Sequence, residues 1–237
     1  MITAEQQKQV DATMELLSTY ITKDPWEEWM VEVFTDAIAY AAEMLELSAD
    51  EILDYLEEQP LGQMAHAHVF EHFVTTETNE DGESVLQEFM RTRVQQENGS
   101  FACQYLKALS ESELALWEIV SVQSGTSALV KRLGTDDAAV QVPLEAERMP
   151  KDLCIASRLL RLPNGDCTFG FGLLPVERKE AEDILAYLQQ VRAEMEEAAR
   201  AEEVTPDADD VEEAIHEEMV DLMFQETLAS WIAQGFE

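Results

Sequence analysis

The spacing of apolar residues changes twice along this chain, and these changes define its fold class. In the N-terminal part, apolar residues such as Val10, Met14, Leu17 and Ile21 recur at the spacing of one helix face. Between residues 116 and 176 they form short runs separated by turn residues, which is typical of strands. The helical spacing then returns. The pattern therefore predicts an α+β fold.

The middle part is expected to form a small five-stranded antiparallel sheet or barrel. A helical N-terminal part precedes it, and C-terminal helices pack back on it. The two changes in spacing divide the chain into an acidic helical part at 1–115, a small β-unit at 116–176 and acidic helices at 177–237. The three parts can together form one compact domain. The five strands are expected at 117–122, 127–133, 138–142, 153–162 and 167–174.

The negative charge lies on either side of the β-unit. The sequence holds 50 Asp and Glu against 15 Lys and Arg, a formal net charge of −35. Residues 1–115 account for −19 and residues 177–237 for −15, which leaves −1 for residues 116–176. So acidic a surface repels nucleic-acid phosphates and anionic lipids. We therefore expect no direct nucleic-acid or membrane binding, and we expect recognition at the near-neutral β-unit.

Cysteine usage and hydropathy indicate a cytoplasmic protein. The three cysteines are an odd number without CxxC spacing, which fits reduced thiols better than a disulfide framework. Met1 leads directly into the polar residues 3–9, so no signal peptide is expected. No apolar run approaches the roughly 20 residues that a membrane-spanning helix requires.

Two glycine patterns in the β-unit predict backbone geometry. Asn164-Gly165 favours a two-residue type I′ hairpin, which would pair Leu162 with Cys167. Gly170 and Gly172 alternate with apolar residues and indicate a close backbone approach or a barrel bend.

His68, Glu71 and His72 match the H-x-x-E-H pattern of inverted zinc peptidases. On a helix the two histidines stand one turn apart, so two zinc ligands and a base could share a face. Adventitious metal binding helped by His66 is an alternative. A solvated polar helix face explains the same residues without a metal ion, and we favour it. No metal site is therefore assigned.

Four basic residues of the β-unit are candidate binding residues: Arg148, Lys151, Arg158 and Arg161. Together they could form a small basic patch, which would be conspicuous on so acidic a chain. With the aromatic residues of the unit, such a patch could also belong to a nucleic-acid barrel. The surrounding charge argues against that use.

The last helix, expected at 211–233, carries an apolar stripe that includes Ile215 and Leu222. Docking of this stripe on the chain's own core is the favoured interpretation. A contact with a partner or with a second copy of the chain is the alternative, and its candidate residues are Leu222 and Trp231.

Six stretches of the chain carry a resemblance: Phe70-Glu-His-Phe73, Asp81-Gly-Glu-Ser-Val-Leu-Gln-Glu-Phe89, Tyr105-Leu-Lys-Ala-Leu-Ser110, Trp117-Glu-Ile-Val-Ser-Val122, Ser124-Gly125 and Asp152-Leu-Cys-Ile-Ala-Ser-Arg158. With them, residues 70–175 resemble a little-characterised group of bacterial proteins associated with a SEC-C zinc-binding tail, and their tail-less relatives. The resemblance implies a helical layer leading into a compact β-unit, with no settled activity. The cysteine-rich tail is absent, so a zinc role by that route is not implied.

The leading functional hypothesis is a non-enzymatic, cytoplasmic binding or regulatory protein. Its protein partner would meet the β-unit or the last amphipathic helix. There is no G-x-S-x-G, no phosphate loop and no dinucleotide fingerprint, so no catalytic residue is assigned and no cofactor is expected. One alternative is an acidic decoy that occupies the basic groove of a nucleic-acid-binding protein. The other is a metal-dependent hydrolase centred on His68, Glu71 and His72.

Overall fold

The computed structural model describes residues 2–23, 25–58, 62–94, 100–123, 126–144, 152–201 and 208–236. Within these ranges a helical part is followed by a small antiparallel sheet and then by further helices, so the predicted α+β fold is confirmed. The first helices are α1 (Ala4–Ile21), α2 (Trp26–Leu45), α3 (Ala49–Glu58), α4 (Gly62–Thr76), α5 (Val85–Phe89) and α6 (Phe101–Ser110), with a π-helical turn at Met90–Val94 after α5. The strands are β1 (Leu114–Gln123), β2 (Ser127–Arg132), β3 (Val140–Pro143), β4 (Leu153–Arg161), β5 (Cys167–Phe169) and β6 (Leu174–Glu177), and the last helices are α7 (Arg178–Ala201) and α8 (Ala208–Ala233).

Side-chain caps set the starts of several helices. Thr3 caps α1 and Ser84 caps α5, each in a capping box with the Gln three residues later. Ser100 accepts a hydrogen bond from the Cys103 backbone N–H at the start of α6. Each cap satisfies N–H groups that the first helical turn leaves unpaired, so these starts follow from local sequence.

The sheet is antiparallel and nearly closed. β3, β2, β1 and β4 are consecutive neighbours, and β5 and β6 both pair with β4. β5 also lies beside β3, which brings the two ends of the sheet together.

The stretch predicted as a single fifth strand forms two strands. β5 pairs with residues 159–161 of β4, and β6 pairs with residues 153–156. Residues 170–173 connect β5 to β6 and belong to neither strand, and we call this segment the interrupted strand. It leaves the ladder where it contacts α4.

The turn between β4 and β5 differs from the predicted type I′ hairpin. Gly165 has a φ of +85°, but Asn164 has no positive φ. The Gly165 N–H donates to Leu162 O at 2.9 Å. Pro163 holds a negative φ, which suits the second position of a type I turn followed by a left-handed glycine. A type I′ turn centred on Asn164-Gly165 would need a Pro163 N–H to pair with Asp166, and proline has none. The observed turn instead uses the Leu162 N–H, which donates to Asp166 O at 2.9 Å.

This turn shifts the strand register by one residue. Cys167 pairs with Arg161 instead of Leu162, and Cys154 pairs with Val176. The two cysteines are therefore not cross-strand neighbours. Together with Cys103 they are free thiols.

The two faces of the sheet contribute to different cores, because successive side chains of a strand point to opposite faces. The outward face, including Leu116, Ala156 and Val176, packs with residues of α2, α3, α7 and α8. Leu160 and Leu162 join a cluster with α1, α5 and α6. The inside of the sheet holds Ala115, Trp117, Ala128, Val130, Val142, Ile155, Leu159 and Phe169.

Candidate functional site

α4 is buried on the side that carries its histidines and glutamate. His68 and Glu71 are each 2% exposed, and His72 is 5% exposed. The prediction that these side chains form a solvated polar face is therefore wrong. The interrupted strand and α8 both contact them. Buried polar groups of this kind need hydrogen-bond partners from the protein itself.

His68 is held between the interrupted strand and α8. Its Nδ1 lies 2.7 Å from Gly172 O, and its Nε2 lies 3.3 Å from Thr227 Oγ1. Since a carbonyl oxygen only accepts hydrogen bonds, Nδ1 carries the proton. Burial lowers the pKa of His68 to about 4, so the ring is neutral at physiological pH. Both ring nitrogens have protein partners, which leaves neither for a metal ion.

His72 packs on α8. Its ring stacks on the Phe224 ring with centroids 3.8 Å apart, and its Nε2 lies 3.4 Å from Asp221 Oδ1. Burial lowers the pKa of His72, although Asp221 opposes the shift. The zinc-hydrolase alternative requires both imidazoles around one open metal position. Their separate partners give that alternative no support.

Glu71 binds the backbone of the interrupted strand. The Gly172 N–H donates to Glu71 Oε2 at 3.0 Å. Burial raises the pKa of Glu71, whereas this hydrogen bond and the charge of Arg158 oppose the shift. A Cβ on Gly170 would lie 2.2 Å from Glu71 Oε2, and one on Gly172 would lie 2.9 Å from His68 Cα. The predicted close approach is therefore confirmed, with the α4 backbone against Gly172 and the Glu71 carboxylate against Gly170.

Replacing Gly172 with Ala is expected to lower the free energy of unfolding by about 2–3 kcal/mol, because the added methyl meets the backbone of α4. Gly165→Ala is the control. A Cβ at Gly165 has open space, so only its positive φ costs stability, by about 1 kcal/mol. Urea unfolding curves measure both variants. Equal losses would contradict a steric role for the contact at Gly172.

Arg158 does not belong to a surface patch. Its side chain is 4% exposed, and its Nη1 donates to Ser112 O. Its Nη2 has no hydrogen-bond partner among the described residues. The charges of Glu71 and Glu113 favour the protonated guanidinium, but burial dominates and lowers the pKa of Arg158. The structure thus contradicts the predicted surface role of Arg158.

The other members of the predicted patch separate into two groups. Arg148 and Lys151 lie outside the described residues. Arg161 is exposed at the end of β4, where it lines two clefts of about 320 Å³ and 480 Å³. The first cleft reaches Trp117, inside the sheet. Within the described part of the chain Arg161 forms no ion pair, whereas Arg132 in the first cleft lies 3.5 Å from Glu113.

The apolar side of α8 is used by the chain itself. Trp231 is 6% exposed and belongs to the core shared with α2 and α7, and Leu222 is half-buried against the same core. Docking on the chain's own core, the favoured interpretation of this helix, agrees with this packing. The structure corrects the placement of Trp231 on a binding surface, because a partner cannot reach it without displacing α8.

A further cleft of about 540 Å³ lies between α1, α2, α4, α6 and the interrupted strand. No pattern in the sequence predicted this cleft. Its lining includes Met14, Tyr105 and Phe171, which lie far apart in sequence. The one local sign in the sequence is Phe171, an aromatic residue between two glycines.

Among the described residues, no group of three or more His, Cys, Asp or Glu could hold a metal ion. No helix in the described ranges combines the length and the apolar character needed to cross a membrane. Comparison with models of known families, with curated proteins and with solved structures found no match.

Proposed function

We propose that this chain is a non-enzymatic, cytoplasmic binding or regulatory protein whose protein partner meets the end of the β-unit around Arg161. One observation carries the proposal. Arg161 is an exposed cation without an ion-pair partner among the described residues, and it lies between two clefts. In a chain with 50 acidic residues, a guanidinium that forms no ion pair within the described residues is available for a carboxylate of another molecule.

The charge distribution restricts the chemistry of this partner. Residues 1–115 and 177–237 are strongly acidic and repel acidic proteins at long range. The partner should therefore be neutral or basic overall and should present one local carboxylate to Arg161. Trp117 and Leu159, which line the cleft of about 320 Å³, offer apolar contact beside that ion pair.

The proposal agrees with the resemblance to SEC-C-associated proteins, which implies a compact β-unit without a catalytic signature. We propose that the chain is a tail-less relative of that group.

Arg161→Glu is expected to reduce recovery of the partner at least tenfold, since a carboxylate would then face a carboxylate across the interface. The experiment is co-purification of the tagged full chain from its native host. Arg200→Glu makes the same charge change at an exposed site on α7 and is the matched control. The variants should share the thermal midpoint of the wild type, because both side chains are exposed.

Equal recovery with Arg161→Glu and Arg200→Glu would overturn the proposed site. If both variants instead strengthen the capture of a basic partner that high salt releases, total charge governs binding. That result would favour the acidic decoy.

A further inference from the structure

The cleft beside α1 has the composition of a small-molecule site. Its volume of about 540 Å³ lies within the usual range for ligand sites, roughly 300–1,000 Å³. Apolar side chains from four separate elements line most of it. They are Val10, Met14, Met30, Ala67, Phe70 and Phe171.

Tyr105 provides a polar group inside this cleft. Tyr105 is 5% exposed, and its side chain lines the cleft. Burial raises the pKa of Tyr105, with further contributions from the charges of Glu71 and Asp11, so the hydroxyl stays protonated. In the cleft this hydroxyl can donate or accept a hydrogen bond with a bound ligand.

Asp11 gives the cleft a negative charge. The Gln7 side chain donates to Asp11 Oδ1 at 2.8 Å, which orients the carboxylate. Within the described part of the chain Asp11 has no ion pair, and the lining contains neither Lys nor Arg. The surrounding residues 1–115 carry a net charge of −19 and attract cations.

We infer that this cleft binds a hydrophobic primary amine, a small organic cation with one ammonium group on an apolar body. The ammonium donates to the Asp11 carboxylate and to the Tyr105 hydroxyl oxygen. The apolar body lies against Met14, Met30 and Phe171. An aromatic face next to the ammonium adds to the attraction. This site is separate from Arg161 and does not depend on the proposed protein partner.

Isothermal titration of the full chain with three eight-carbon probes tests the inference. Octylammonium, 1-octanol and octanoate share one apolar body and differ in charge. At neutral pH and physiological salt, octylammonium should bind at least tenfold more tightly than 1-octanol. Octanoate should not bind measurably, because Asp11 repels it.

Variants assign the binding to this cleft. Asp11→Asn should reduce octylammonium affinity to that of 1-octanol, and Tyr105→Phe should reduce it about fivefold. Glu15→Gln removes one exposed charge a turn further along α1, outside the lining, and should leave the affinity unchanged. Similar affinities for all three probes, or equal losses in Asp11→Asn and Glu15→Gln, would overturn the inference. The latter result would show general attraction to an acidic surface.

Discussion

Acidification from pH 6.5 to pH 4 is expected to remove about 3 kcal/mol of stability through His68 alone. In the unfolded chain this imidazole takes up a proton near pH 6.5. In the folded chain its pKa is about 4, because burial disfavours the charged ring. The unfolded state therefore binds more protons in this window, and stability falls as pH decreases. His72 acts in the same direction, since burial also lowers its pKa.

Urea unfolding at a series of pH values measures this effect. His68→Gln keeps a donor for Gly172 O but does not titrate, so its stability should vary less with pH than that of the wild type. His216→Gln makes the same substitution at an exposed histidine on α8 and is the matched control. Glu71 opposes the histidines, because its raised pKa makes protonation stabilise the fold. An unchanged slope in His68→Gln would disprove the role given to His68.

Replacing Trp231 with Ala is expected to lower the free energy of unfolding by about 3–5 kcal/mol. The indole belongs to the core that joins α8 to α2 and to the outward face of the sheet. Its loss leaves a cavity that the closely packed neighbours fill only in part. Denaturant unfolding of the purified full chain gives the value.

Phe236→Ala is the matched control for Trp231→Ala. Phe236 is 43% exposed and contacts the Tyr55 ring, so its removal should cost about 1 kcal/mol. If Trp231→Ala proved as stable as the wild type and yet lost a partner, the original prediction of a binding role for Trp231 would be correct.

Short-range patterns were sufficient to predict most of the fold. The switch from helical spacing to short apolar runs located β1, β2, β3 and β4 within a few residues. Gly170 and Gly172 also indicated correctly that α4 approaches closely, with its backbone at Gly172 and the Glu71 side chain at Gly170, because the absence of a side chain at alternate positions is visible in the sequence itself.

The surroundings of α4 could not be predicted in the same way. A helical wheel separates His68 and His72 from the apolar residues but does not show what covers them. Gly172 and Thr227, the partners of His68, lie 104 and 159 residues away from it. The cleft beside α1 was missed for the same reason, since five separate elements line it.

The attachment of Gly172 to α4 limits how the β-unit can be studied. A fragment of residues 116–176 would keep the strands but lose Glu71 and His68, which satisfy both backbone polar groups of Gly172. It would also expose Leu116 and Ala156 to water. Such a fragment should aggregate instead of folding, so the β-unit is no transferable module.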